Sequence, residues 1–130
     1  MSKDLLFDIS LMAKKKGVID EELLNFIERI FPDKVDKVLK VIKRSITKYT
    51  FNPSRRVVWI ALGENDEYLL YPKLYCSCQD FYKAVVIQRR RSFCKHLLAQ
   101  VICEFLPDFK ESELEDDKFN DFIEDLDLKF

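Results

Sequence analysis

The sequence predicts an α+β fold: N-terminal helices, a small antiparallel sheet, then two pairs of metal-ligating residues whose second pair opens a helix, with an acidic tail or helix at the end. Three observations carry this. Apolar residues recur at helical spacing through residues 1–44 and switch to strand-like alternation beyond Ser45. Cys76 and Cys78 are followed, after fifteen intervening residues, by Cys94 and His96, the chain's one histidine. Residues 108–130 hold ten Asp or Glu against three Lys or Arg.

Taken in order, Leu5, Leu6, Ile9 and Met12 share one helical face. Lys14 to Lys16 and then Gly17 end that helix, because cations suit its negative end and glycine accepts left-handed backbone. Asp20 is suited to cap a second helix, Glu21 to Phe31, striped by Leu23, Leu24, Ile27, Ile30 and Phe31. Pro32 and Asp33 interrupt the chain and start a third helix to about Arg44, with Val35, Val38, Leu39 and Ile42 inward. Residues 1–44 are thus expected to form a helical region that buries its stripes against the remainder or a partner. Ile46 to Phe51, Arg56 to Leu62 and Glu67 to Tyr71 read as strands, being rich in β-branched and aromatic residues. Asn52-Pro53-Ser54 and Gly63-Glu64-Asn65-Asp66 are the turns between them, with Arg55 and Arg56 as charges at a turn edge. The sheet's expected task is to fix the knuckle that presents Cys76 and Cys78.

Thiolate and imidazole are the ligands that Zn²⁺ prefers, and four of them close a tetrahedral shell. Two residues separated by one can both turn toward a single ion. From Cys94 onward Leu97, Leu98, Val101, Ile102 and Phe105 recur at helical spacing, which places Cys94 and His96 in a first turn. Free backbone N–H groups there favour anionic thiolates. Cysteines buried only as small hydrophobes would not come as two close pairs with a helix behind the second. Three thiolates, a neutral imidazole and Zn²⁺ sum to minus one, and Lys95 with Arg89, Arg90 and Arg91 lie near enough in sequence to offset it. Cys103, about two turns beyond His96, is assigned to core packing. One structural zinc ion is therefore expected. A closed shell leaves no position for a catalytic water, and no glycine-rich phosphate loop or nucleophile–base motif occurs elsewhere. No catalytic residue is assigned, and the chain is expected not to be an enzyme.

The ligand motif, CSC at Cys76 to Cys78 and CKHLLA at Cys94 to Ala99, resembles the SWIM-type zinc finger, including the small Ala99 three residues after the histidine. With RSIT (Arg44 to Thr47), SRRVVWIALG (Ser54 to Gly63) and YCSC (Tyr75 to Cys78) in the same order, the chain resembles the small SWIM subunits of Shu recombination complexes. This resemblance spans about Arg44 to Val101, under half of the chain. It implies Cys76, Cys78, Cys94 and His96 as the ligands and Ala99 as the small residue packing under the site. It also implies a SWIM zinc-finger domain over residues 45–107 and pairing with a recombinase paralogue of the strand-exchange family. The implied function is that of an adaptor in homologous recombination and DNA repair. Such an adaptor promotes recombinase filament assembly on single-stranded DNA, as part of a hetero-oligomer rather than as an isolated monomer. The alternative is a stand-alone DNA-binding protein, similar to the SWIM fingers of transposases and chromatin proteins.

The overall charge of minus one conceals minus seven over residues 108–130 and plus six over residues 1–107. A basic body is compatible with binding nucleic acid. Lys83, Arg89, Arg90 and Arg91, in the insert between the ligand pairs, are the candidate contacts. Arginine forks can grip phosphates and aromatic faces can stack on unpaired bases. The other reading of these cations is a solvated loop. Phe81 and Phe93 are assigned to packing around the zinc. In the tail, Phe119, Phe122, Ile123, Leu126 and Phe130 recur among acids at near-helical spacing. They suit a last helix that packs on the body or docks on a partner better than a phosphate mimic over the arginines. At 130 residues the chain is one domain, or one domain with a tail over 108–130. No apolar run is long enough to span a bilayer, and MSKDLLFDIS does not read as a signal peptide. The cysteine pattern suits a reducing compartment. The expectation is a soluble intracellular protein with no membrane partner, nuclear in a eukaryote and cytoplasmic with the nucleoid in a prokaryote.

Overall fold

The second strand, RVVWIAL, shows how the sheet is placed. Trp59 and Ala61 point to one side, Val58 and Ile60 to the other, and all four are buried. A strand covered on both faces needs a layer on each. The computed structural model, which describes residues 2–126, supplies both. The strands are β1 (Ile46–Asn52), β2 (Arg56–Leu62), β3 (Glu67–Tyr71), β4 (Tyr75–Cys76) and β5 (Lys110–Glu115), arranged β4-β3-β2-β1-β5. One face carries α1 (Ser2–Lys16), α2 (Glu21–Ile30), α3 (Val35–Arg44) and α4 (Lys95–Phe105). The other carries α5 (Phe119–Asp125).

The expected helices form where their signals lie. Gly17 (φ 70°) ends α1, its N–H donating to the Ala13 carbonyl at 2.9 Å. Asp20 caps α2, its Oδ1 accepting from the Leu23 N–H at 2.9 Å. In α3 the buried residues are Val38 and Val41 rather than the full expected set. Val35 and Ile42 are partly buried against the core, while Leu39 does not join it. The helix is rotated because its contact is α4, whose side chains are almost all buried. Leu6, Ile9, Leu23, Ile27, Val38, Leu97, Leu98, Val101 and Ile102 thereby share one core with the sheet's inner face and the four candidate ligands.

The expectation of an antiparallel sheet holds for β1 through β4 and fails at the fifth strand. β5 pairs with β1 in parallel, Phe51 beside Leu114, making the sheet mixed. Its sequence, KESELE, alternates but directs only Ser112 and Leu114 inward, so the local apolar signal is faint. β1 has an open edge, and the long connection through α4 is what allows a strand to reach it in the parallel sense. Behind β5, Phe119 and Phe122 meet Phe51 edge-on at 5.1 and 5.4 Å, and the Arg56 guanidinium lies 4.2 Å from the Phe119 ring. Asp116 accepts from the Ser54 N–H and hydroxyl, and Glu113 pairs with Arg55 at 3.1 Å. The segment 108–126 is built into the sheet and its outer layer; Phe130 lies outside the described residues. Among the described residues, no helix is long and apolar enough to cross a membrane.

Candidate metal centre

Three pieces of chain converge on the site. Cys76 ends β4, the short edge strand paired with β3. The next residue ties down the knuckle: the Ser77 N–H donates to the Leu69 carbonyl at 3.0 Å, and its Oγ accepts from the Leu69 N–H at 2.9 Å. That double link turns Ser77 onto β3 and leaves the flanking cysteines free to face one point. Cys94 stands at the N-cap of α4 in extended backbone, and His96 lies in the first turn.

The four ligand atoms lie within 4.8 Å of one another, and all four residues are buried. Cys76 Sγ is 3.6 Å and Cys94 Sγ 3.9 Å from His96 Nδ1. Zinc bonds of about 2.3 Å to sulfur and 2.0–2.1 Å to nitrogen, at the tetrahedral angle, put the two atoms roughly 3.6 Å apart. The observed spacing fits. The electrostatics fit as well. Burial pushes the Cys76 and Cys94 thiols far above the ordinary range, while hydrogen bonding from its neighbours pulls Cys78 far below it. Three buried sulfurs cannot ionise together without a cation among them. A dication resolves that conflict, so the donor set suits one structural zinc ion and the chain's residues hold it as a closed Cys3His shell.

The surroundings fix these ligands in place. The Phe81 N–H donates to Cys78 Sγ at 3.3 Å, favouring its thiolate. The Tyr68 ring lies against the His96 imidazole, centroids 4.4 Å apart. Gly63 makes room for Tyr68: a Cβ there would come within 2.7 Å of the ring. Phe81 and Phe93 are buried in the core that holds the ligands, and Phe93 meets Phe31 edge-on at 5.3 Å. Ala99 is fully buried on α4, one turn beyond His96. Cys103 stays apart from the cluster, fully enclosed, and burial pushes its thiol up to about 12.

The insert is a wide helical turn, Phe81–Ile87, whose bonds reach five residues back, as from the Gln88 N–H to the Lys83 carbonyl. Of its cations, Lys83, Arg89 and Arg90 are exposed. Arg91 is engaged. It clamps both Asp80 oxygens at 2.8 and 3.1 Å, donates to the Phe93 carbonyl at 3.2 Å and lies over the Phe31 ring. It thereby fastens the start of the insert to the approach of the second ligand pair. Sequence reasoning missed Asp80, Ser77 and Tyr68. No local pattern marks them, because their partners lie eight or more residues away.

A mixed sheet with helices on both sides, whose edge strand and inner helix grip one ion through Cys-x-Cys and Cys-x-His, defines a zinc-finger protein of the SWIM type. Comparison with known proteins makes this more specific. The chain is 31% identical over 112 residues to the zinc finger SWIM domain-containing protein 7 homolog of Dictyostelium discoideum, covering 84% of this chain and 72% of that protein. It is 26% identical to zinc finger SWIM domain-containing protein 7 of Mus musculus over 125 residues, 93% of this chain and 81% of that one. The human protein of that name is 24% identical over 125 residues, 93% and 88% of the two chains. The chain belongs to the zinc finger SWIM domain-containing protein 7 family. No family model and no solved structure matches it.

Proposed function

We propose that this protein is a non-enzymatic adaptor of homologous recombination, one that pairs with a recombinase paralogue and promotes recombinase filament assembly on single-stranded DNA. The observation that carries the reading is the likeness to the SWIM domain-containing 7 proteins along most of the chain, which joins the earlier resemblance to Shu SWIM subunits. A closed four-ligand shell supports a structural ion rather than a catalytic one, since it offers a substrate no open coordination position. The apolar stripes of α1 to α3 are buried in the core they share with α4, so a partner would meet other surfaces; Phe7 and Leu11 on α1, and Tyr82, Val86 and Ile87 on the insert, are exposed. Affinity purification of the tagged protein from its own cells, with intact zinc, tests the proposal. Recovery of a strand-exchange paralogue is the expected result. Tight DNA binding by the isolated chain with no such partner would overturn the adaptor in favour of a stand-alone DNA-binding protein.

A further inference from the structure

A second group of cations without an ion pair among the described residues lies away from the insert. Lys37, Lys40 and Arg44 recur along one exposed edge of α3, beside Val41, which faces the core. Together with Lys95, which sits between two zinc ligands, they line a hollow of about 300 Å³. Tyr68 and His96 form part of its wall. Glu64 is the one carboxylate among its lining residues. Among the described residues, none of the four cations has an ion pair within 4.0 Å. The strip continues toward the insert: like charge, chiefly from Lys37 with Arg91 adding, holds Lys34 below the usual lysine range.

We infer that this hollow is a phosphate-binding site for the backbone of single-stranded nucleic acid, gripped by Lys37, Lys40, Arg44 and Lys95. The geometry gives the reasons. Seven residues of α3 separate Lys37 from Arg44, about 10 Å of helix, long enough to meet two neighbouring phosphates of one strand. The walls are polar, Lys37, Lys40 and Arg44 are exposed and Lys95 is half-buried, which suits a solvated polyanion that exchanges its counterions for lysine and arginine. The zinc ion anchors the site, because Lys95 is fixed between Cys94 and His96. The inference does not depend on the recombination role, since the pocket would take a phosphate chain whether or not a paralogue is bound.

The test uses the full zinc-loaded chain and a fluorescein-labelled oligothymidylate, with anisotropy followed from about 50 to 200 mM salt. Lys40→Ala with Arg44→Ala is expected to weaken binding about tenfold at low salt and to flatten the salt slope by about 1.4, two contacts at roughly 0.7 each. Lys14→Ala with Lys15→Ala removes the same charge from the exposed end of α1 and should leave the slope near that of the unaltered chain. Zinc content and melting temperature of each variant confirm that it is folded. Equal losses in the two pairs would overturn the site as mere net charge, as would absence of binding by the unaltered chain at low salt. Arg89→Ala with Arg90→Ala supplies a further arm: a slope lost there and kept in the α3 pair would place the contact on the insert. Amide shifts in NMR separate the two sources of phosphate. Movement at residues 37, 40 and 95 with the oligonucleotide supports the inference, whereas movement with inorganic phosphate alone overturns it.

Discussion

Removing the zinc should unfold the inner half of this protein. The four ligands are between 0% and 6% exposed and join the sheet edge at Cys76, the head of the insert at Cys78 and the start of α4 at Cys94 and His96. α4 in turn is the helix against which α1 and α3 pack. Apparent zinc binding at structural sites is worth about 10–16 kcal/mol, against a total stability of about 5–15 kcal/mol for an ordinary domain. Without the ion the balance therefore falls to about 5 kcal/mol at most and below zero over most of that range. The second core, Phe51, Val58, Ile60 and Leu69 under α5, contains no ligand, but four buried side chains are too few to fold alone. A strong chelator should thus abolish most of the helical ellipticity at 222 nm and the cooperative melt together. Added zinc should restore both. Lower pH should ease the release, because protons compete with the metal for every thiolate and for the imidazole. Cys94→Ala should behave like the chelated protein, while Cys103→Ala should keep one equivalent of zinc. Metal-free protein, verified by elemental analysis, with unchanged ellipticity and melting temperature would refute the reasoning.

Other perturbations test how the site is held. Gly63→Ala would drive a methyl into Tyr68, which cannot yield without pressing on His96; a loss of about 1–3 kcal/mol and faster zinc transfer to a chelator are expected. Unaltered melting and unaltered release would contradict that coupling. Arg91→Ala removes a half-exposed bidentate pair and a cation–π contact, worth about 1–2 kcal/mol together after solvent screening, and Arg91→Lys should not restore it. Because Arg91 holds Asp80 below the usual carboxylate range, that pair stabilises the fold above the unfolded carboxylate value. Its contribution fades as pH falls from the unfolded carboxylate value through the lowered one, so the difference in melting between the two zinc-loaded proteins should shrink in that window to the part owed to the cation–π contact. Asp20→Ala should lower the melting temperature and Asp20→Asn should lower it much less, which separates capping of α2 from the Lys16 ion pair.

What the sequence alone determined is whatever short-range chemistry encodes. The two ligand pairs, the stop at Gly17, the cap at Asp20 and strands β1 to β3 each depend on neighbours within a few residues. Their side-chain spacing therefore names the element directly. The tertiary structure decided the rest. β5 exists because β1 has an open edge, not because KESELE seeks a sheet. Val41 displaces Leu39 from the inner face of α3 because α4 sets the angle of contact. Arg91, one of three adjacent arginines in the chain, is distinguished from Arg89 and Arg90 only by the position of Asp80. Nothing in the spacing of Lys37, Lys40 and Arg44 marks a site, and only the fold brings Lys95 up beside them. Each of these depends on pairings between residues far apart in the chain. Such pairings form only once the core and the ion have drawn those distant segments together.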